Sequence, residues 1–330
     1  MTSVRWGIIS TAKIGMEKVI PAIQAASNCD VVAIASRLPG RAADAADLLG
    51  IPSSFDTYQD LLDAEDIDAV YIPLPNDQHA EWAMRAARAG KHVLCEKPLA
   101  MSAAQAEEIV QACSEAGVLL MEAFMYRHHP TWVTTIDLVR SGAVGEVQAV
   151  HSWFSYFNDD PSNIRNQIEH GGGALMDIGC YCISLSRLVF EDEPSTIEAI
   201  VKRDPVLGVD TVTSAVLAFP RGGQAVFTCS TRAEDSQGVH IIGTGGRIEI
   251  DIPFNIPPLL ETRIHVTAGG DPPVEPAAET IVFPPANQYT IQAERFAEVI
   301  LDDAPVPVHP IDAVRNMAVI DAILASGGVD

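Results

Sequence analysis

Along the first 120 residues, short apolar runs alternate with stretches whose apolar positions recur every three to four residues. The runs predict strands at Arg5–Ile9, Val31–Ser36, Asp68–Ile72, His92–Cys95 and Val118–Glu122. The longer period predicts helices at Gly15–Ala26, Gly40–Leu49 and Tyr58–Ala64, with two more near Asp77–Ala89 and Ser102–Ala116. Apolar strands that alternate with amphipathic helices imply a parallel sheet covered on both faces, an α/β, doubly wound arrangement.

The pattern changes after residue 122. A helix at Thr131–Arg140 leads to a long aromatic-rich strand, Glu146–Phe157, and three glycines open a helix at Gly173–Val189. Strand-like runs follow at Thr196–Lys202, Thr211–Phe219, Gln224–Cys229, Val239–Gly243 and Arg247–Ile252, joined by tight turns. Consecutive strands with short connections predict a large, mostly antiparallel open sheet, hence an α+β second domain. Residues 253–286 carry eight prolines and read as loop and edge strand. Helices at Tyr289–Leu301 and Ile311–Ala325 close the chain. The expected division is 1–122 for the first domain and 123–330 for the second.

Composition narrows the function classes. Hydrophobic residues are 48% and charged residues 20%, a globular balance. Apolar runs such as Val118–Met121 fall short of a membrane span, and the amino terminus enters a strand directly, so a cytoplasmic protein is expected. Lys+Arg 21 against Asp+Glu 44 gives a net charge of −23, which disfavours nucleic acid and anionic lipid as partners. The six cysteines lack Cys-x-x-Cys spacing, so neither a metal site nor a disulfide framework is expected.

With so acidic a surface, an anionic cofactor needs a local source of positive potential. Ser10-Thr11-Ala12-Lys13-Ile14-Gly15 follows the first strand, where a dinucleotide site needs a tight turn that lets a pyrophosphate approach the backbone. Small residues replace two of the glycines expected there, at Ser10 and Ala12. The second strand ends in Ser36-Arg37 with no carboxylate; a hydroxyl beside a guanidinium suits a 2′-phosphate and points to NADP over NAD. Pro73–His79 and Glu96-Lys97-Pro98 follow two further strands, at the edge where such sheets bind ligands. Asn76 or Asp77 also suits a helix cap. The Lys97–Pro98 bond is a candidate cis peptide at a strand end.

In the second domain, Asp177 and Tyr181 are four apart on the glycine-opened helix and share a face. Removing hydride from an alcohol carbon requires a group to take the hydroxyl proton. A tyrosine, with an ordinary pKa of about 10, is a poor base alone; a nearby ammonium lowers that value, so Lys97 next to Tyr181 would make a workable pair. Asp177 would orient the lysine or a substrate hydroxyl.

Three segments together carry a family resemblance: Glu96-Lys97-Pro98, Glu122-Ala-Phe-Met-Tyr126-Arg127-His-His-Pro130 and Gly171-Gly-Gly-Ala-Leu-Met-Asp177-Ile-Gly-Cys-Tyr181. Over essentially the whole chain the sequence resembles the Gfo/Idh/MocA oxidoreductases, and Tyr181 resembles the branch with tyrosine rather than histidine there. The resemblance implies a Rossmann domain followed by a substrate and oligomerisation domain. It implies catalytic roles for Lys97, Tyr181 and Asp177. It implies cofactor contacts from Ser10, Thr11, Ala12, Ile14, Ser36, Arg37, Pro75, Asn76, His79, Glu96 and Lys97. Arg165, Asp177, Tyr156 and Phe154 would meet a sugar or polyol, and a homodimer or homotetramer would form through the outer sheet face. The expected reaction is NADP-linked oxidation of an aldose such as D-xylose or D-glucose at C1. Alternatives are a trans-dihydrodiol or inositol-type dehydrogenase, a glycoside hydrolase with internal cofactor cycling, and a non-enzymatic dinucleotide sensor.

Overall fold

The computed structural model describes residues 2–269 and 278–326. The chain divides into two compact units, Met1–Met125 with Gln288–Met317, and Tyr126–Asn287 with Ala318–Asp330.

In the first unit the strands are β1 (Val4–Ile9), β2 (Cys29–Ala35), β3 (Ser53–Phe55), β4 (Ala69–Ile72), β5 (His92–Cys95) and β6 (Leu120–Glu122). The helices between them are α1 (Ile20–Gln24), α2 (Arg41–Leu49), α3 (Tyr58–Leu62), α4 (Asn76–Arg88) and α5 (Ala103–Glu115). The sheet runs β3-β2-β1-β4-β5-β6, every pairing parallel. This is the Rossmann order, with its switch point between β1 and β4, where the carboxyl ends of the strands leave a crevice. The central strands β1, β4 and β5 are covered on both sides and have no exposed residue. β3 escaped prediction because it is short and polar.

The first unit also contains a late segment. Helix α8 (Gln288–Asp302) places Ala293, Phe296 and Ala297 in the same core as Val4, Trp6 and Ile20, with the Trp6 and Phe296 ring centroids 5.9 Å apart. Polar bonds fix it: Thr290 Oγ1 donates to the Ala22 carbonyl (3.1 Å) and Asn28 Nδ2 to the Glu294 carbonyl (3.0 Å). The sequence division at 122/123 left this segment in the second domain. Apolar burial, which periodicity cannot assign to a partner, puts it in the first.

The second unit's elements are α6 (Pro130–Arg140), β7 (Val147–Phe157), α7 (Cys180–Phe190) and seven further strands. These strands are β8 (Thr196–Arg203), β9 (Asp210–Ala218), β10 (Gln224–Ser230), β11 (Arg232–Gly243), β12 (Gly246–Ile250), β13 (Thr262–Ala268) and β14 (Ala278–Phe283). Among the described residues the sheet has eight strands in the order β14-β13-β12-β11-β7-β10-β9-β8, antiparallel except for β7 with β10. The proline-rich stretch 253–286 contributes β13 inside the sheet and β14 at its edge, and 270–277 lie outside the described residues. β11 starts seven residues before the predicted Val239, because its polar opening, Ala233–Ser236, is exposed and hides the alternation. Helix α9 (Ile311–Ser326) closes the described chain.

A π-helical turn, Leu175–Gly179, runs into α7, and the Cys180 N–H reaches back five residues to the Leu175 carbonyl. Residues 168–190 are long and apolar enough to cross a membrane by composition, but their most apolar window is 89% buried inside the protein. That hydropathy belongs to a core helix. All six cysteines are buried thiols.

Candidate active site

The first unit collects its candidate residues at the carboxyl ends of β1, β2, β4 and β5. Ser10 ends β1 with φ of +110°, a region that favours glycine, and is held there by its N–H donating to the Ala35 carbonyl (3.1 Å). Its Oγ accepts from the Ala12 N–H (3.3 Å), so the turn keeps the backbone a glycine would adopt and gains a local cap. Thr11, Ala12 and Ile14 are half-buried around it, and Lys13 is exposed. At the end of β2, Ser36 is buried and accepts from the Leu38 N–H (3.2 Å), while Arg37 is exposed with its guanidinium 5.5 Å from the Tyr58 ring centroid. Small side chains in a glycine-like turn, with a hydroxyl and a guanidinium at the next strand, are the donor set a dinucleotide phosphate requires.

The Lys97–Pro98 bond is cis. Glu96 Oε1 accepts from the buried Tyr71 hydroxyl (2.7 Å), and burial followed by the Glu96 charge raises the Tyr71 pKa, keeping it a donor. Beyond the cis bond, the Leu99 N–H donates to Glu122 Oε1 (2.8 Å). Lys97, Pro75 and Asn76 are half-buried.

His79, for which the resemblance implied a cofactor contact, lies beneath the loops that follow β4 and β5. It is fully buried, with Nε2 2.7 Å from the Leu74 carbonyl oxygen and Nδ1 2.9 Å from that of Pro98. A neutral ring donates to one of these carbonyls and a protonated ring to both, so the side chain ties the β4 and β5 loops together. Burial lowers its pKa, against the two carbonyls, which favour the protonated ring.

The second unit has its own cluster. Asp177 Oδ2 accepts from the Tyr156 hydroxyl (2.6 Å) and from Arg165 Nε (2.9 Å). The Arg165 and Asp177 side chains are 43% and 14% exposed, so the pair sits at a surface opening rather than in the core. Burial and then the Asp177 charge push the Tyr156 phenol up, so it remains a hydroxyl donor to the carboxylate. Phe154, two residues before Tyr156 on the same face of β7, lies 5.7 Å from the Tyr181 ring. Asp177 and Tyr181 therefore share a face, as their spacing predicted, and that face meets β7 across a wider turn than an α-helix makes.

Tyr181 stands among Tyr126 (5.8 Å), Phe154 and Phe254 (5.4 Å). Behind it, Ser184 Oγ bonds the Tyr126 hydroxyl (2.8 Å) and accepts from Arg127 Nη2 (2.7 Å). Sequence reasoning missed Phe254, which stacks on Phe154 at 5.1 Å, because it lies in the proline-rich stretch. Tyr126 and Arg127 were part of the quoted motif but had no role; their link to Ser184 was not visible from spacing.

The oxidoreductase family model with an NAD-binding Rossmann fold, GFO/IDH/MocA, matches residues 4–124, and its C-terminal domain matches residues 132–249. The chain belongs to the Gfo/Idh/MocA family. It is 45% identical to an uncharacterized oxidoreductase of Rhizobium meliloti, ORF334, over 99% of this chain and 97% of that one. It is 39% identical to D-xylose 1-dehydrogenase (NADP(+)) 2 of Haloferax volcanii, over 97% and 96%. Among solved structures, KijD10, a 3-ketoreductase of Actinomadura kijaniata in complex with NADP and TDP-benzene, superposes with a TM-score of 0.90 at 32% identity, covering 98% of each chain. The Gfo/Idh/MocA chain is accordingly an oxidoreductase of α/β fold with sugar-related relatives.

Proposed function

We propose that this chain oxidises a sugar or polyol with NADP, most directly an aldose at its anomeric carbon. The observation that carries the reading is the Asp177 carboxylate, fixed by Tyr156 and Arg165 one helical turn from Tyr181. A carboxylate so held is a ready acceptor for substrate hydroxyls, and the aromatic rings of Phe154 and Phe254 suit the apolar face of a sugar ring.

Bound at the carboxyl edge of the first unit's sheet, the nicotinamide would supply the hydride acceptor. Ser10, Thr11, Ala12 and Ile14 would hold its pyrophosphate, and Ser36 with Arg37 its 2′-phosphate, which the NADP-dependent relatives support. Pro75, Asn76, Glu96 and Lys97 would line the nicotinamide end. His79 would act through the loops it clasps. In the second unit, Tyr181 would receive the hydroxyl proton while Asp177 and Arg165 orient the other hydroxyls; Lys97 would stabilise the negative charge that develops on oxygen.

The test is a spectrophotometric screen of aldoses, polyols and diols with NAD and NADP, and of keto-sugars with the reduced cofactors. Keto-sugar reduction is the second reading, favoured by the structural likeness to a 3-ketoreductase. Turnover of an aldose with NADP is expected; no turnover of any hydroxylic or keto substrate would sink the proposal.

We also propose a homo-oligomer through the open face of the eight-stranded sheet. There Ile200, Val216 and Val226 are exposed on neighbouring strands beside Trp153.

A further inference from the structure

The helix that carries Asp177 and Tyr181 lacks a cap of its own. Its N-cap residue is Ala174, with no side-chain acceptor for the first orphan N–H groups. The acceptor comes instead from a residue 35 positions on. Asp210, the first residue of β9, is 2% exposed, and its Oδ2 accepts from the Leu175 N–H (2.8 Å) and the Thr213 hydroxyl (2.8 Å). Leu175 is two residues before Asp177.

The glycine turn is shaped around this carboxylate. Gly173 has φ of +121°, and a Cβ there would stand 2.0 Å from Asp210 Oδ1. The Gly173 N–H donates to the Arg165 carbonyl (2.9 Å), and its carbonyl accepts from the Asp177 N–H (3.1 Å). Arg165 then returns through its side chain to Asp177 Oδ2. At the far end of the turn a Cβ on Gly179 would meet Cys229 Sγ at 2.8 Å, which sets how close the helix lies on β10. Burial pushes the Asp210 carboxyl up, and its Thr213 and Leu175 donors pull it back.

We propose that Asp210 is a positioning residue for the reaction: by accepting the Leu175 N–H it fixes the height and rotation of the π-turn that aims Asp177 and Tyr181. The inference rests on the roles proposed above for those two residues. Asp210 supplies an acceptor at a fixed place, and its chemistry beyond that is not used.

Asp210→Ala, Asp210→Asn and Tyr181→Phe test it, with the aldose found by the screen. Asp210→Ala is expected to lower kcat about 10-fold or more, since displacement by an ångström costs catalysis heavily, while the NADP Kd stays within about 3-fold. Asp210→Asn retains an acceptor oxygen and is expected to restore kcat to within about 3-fold of the parent. In a Tyr181→Phe background, Asp210→Ala should cost little more, because the two act as a unit. Parent-like kcat in Asp210→Ala overturns the proposal, as does a loss that adds in full to that of Tyr181→Phe. If Asp210→Ala does not fold, Asp210→Ser decides in its place: its hydroxyl, one bond shorter than the carboxylate oxygen, stops short of the Leu175 N–H, and parent-like kcat again overturns the proposal. Hydrogen exchange reads the contact without substrate. Amides from Leu175 to Tyr181 should exchange faster in Asp210→Ala than in Asp210→Asn, and equal protection overturns the proposal. Absence of turnover in the parent protein sinks the proposed function instead, leaving the exchange result to judge Asp210.

Discussion

Ser10 holds a backbone conformation, φ +110°, that non-glycine residues adopt only under constraint. Its side chain returns little, since the bonds to Ala12 and Pro73 are long at 3.3 and 3.4 Å. Ser10→Gly is therefore expected to stabilise the protein by about 1 kcal/mol, read as a raised Tm. Tyr181→Phe removes the proposed proton acceptor and should lower kcat by about 10²-fold or more with NADP affinity unchanged; steady-state kinetics with a binding titration check it. Arg37→Asp should shift preference toward NAD, measured as the ratio of kcat/KM for the two cofactors. Spacing was enough to place Asp177 and Tyr181 on one face and to mark the Lys97–Pro98 bond as a cis candidate. It was silent on Asp210, Phe254 and the two carbonyls that occupy His79, because each of these contacts joins residues that only the fold brings together.

Elements were readable in proportion to their burial. Strands β1, β4 and β5 are short and apolar, bounded by helices of clear period, and they appear where predicted. Strands β3 and β13 and the start of β11 were lost because polar or proline-rich sequence carries no alternation when one face meets solvent. The π-turns at Gly15–Val19 and Leu175–Gly179 lie inside stretches that read as continuous α-helix, since one extra residue in a turn barely alters the period. Helix α8 was recognised, but its destination was not. Phe296→Ala, at a fully buried position against Trp6, should destabilise the first unit by about 3–5 kcal/mol. Denaturant unfolding should show this as a lowered midpoint with Trp6 fluorescence changing first.

At the scale of the whole molecule, three histidines contribute to the acid sensitivity of the fold. His79, His92 and His129 all lie below the ordinary histidine pKa of 6.5 because burial penalises the charged ring, and His129 is lowered to about 4. The unfolded chain then binds more protons than the native one between these values. Stability is present in full above pH 6.5 and falls as pH drops through about 4, which unfolding curves between pH 7 and pH 4 will register. The proposed assembly is checked by sedimentation: Val226→Arg on the open sheet face should yield a smaller species than the parent.

The return of α8 to β1 has a consequence for synthesis. A ribosome delivers the six parallel strands long before residues 288–302, so the nascent first unit waits with Trp6 and its neighbours uncovered until most of the chain has emerged. The second unit's sheet is complete in sequence by Phe283, and it precedes the segment that seals its predecessor. The half built first therefore stays open across the synthesis of the second unit's sheet, and a chain ended at residue 287 is expected to leave that half prone to aggregation.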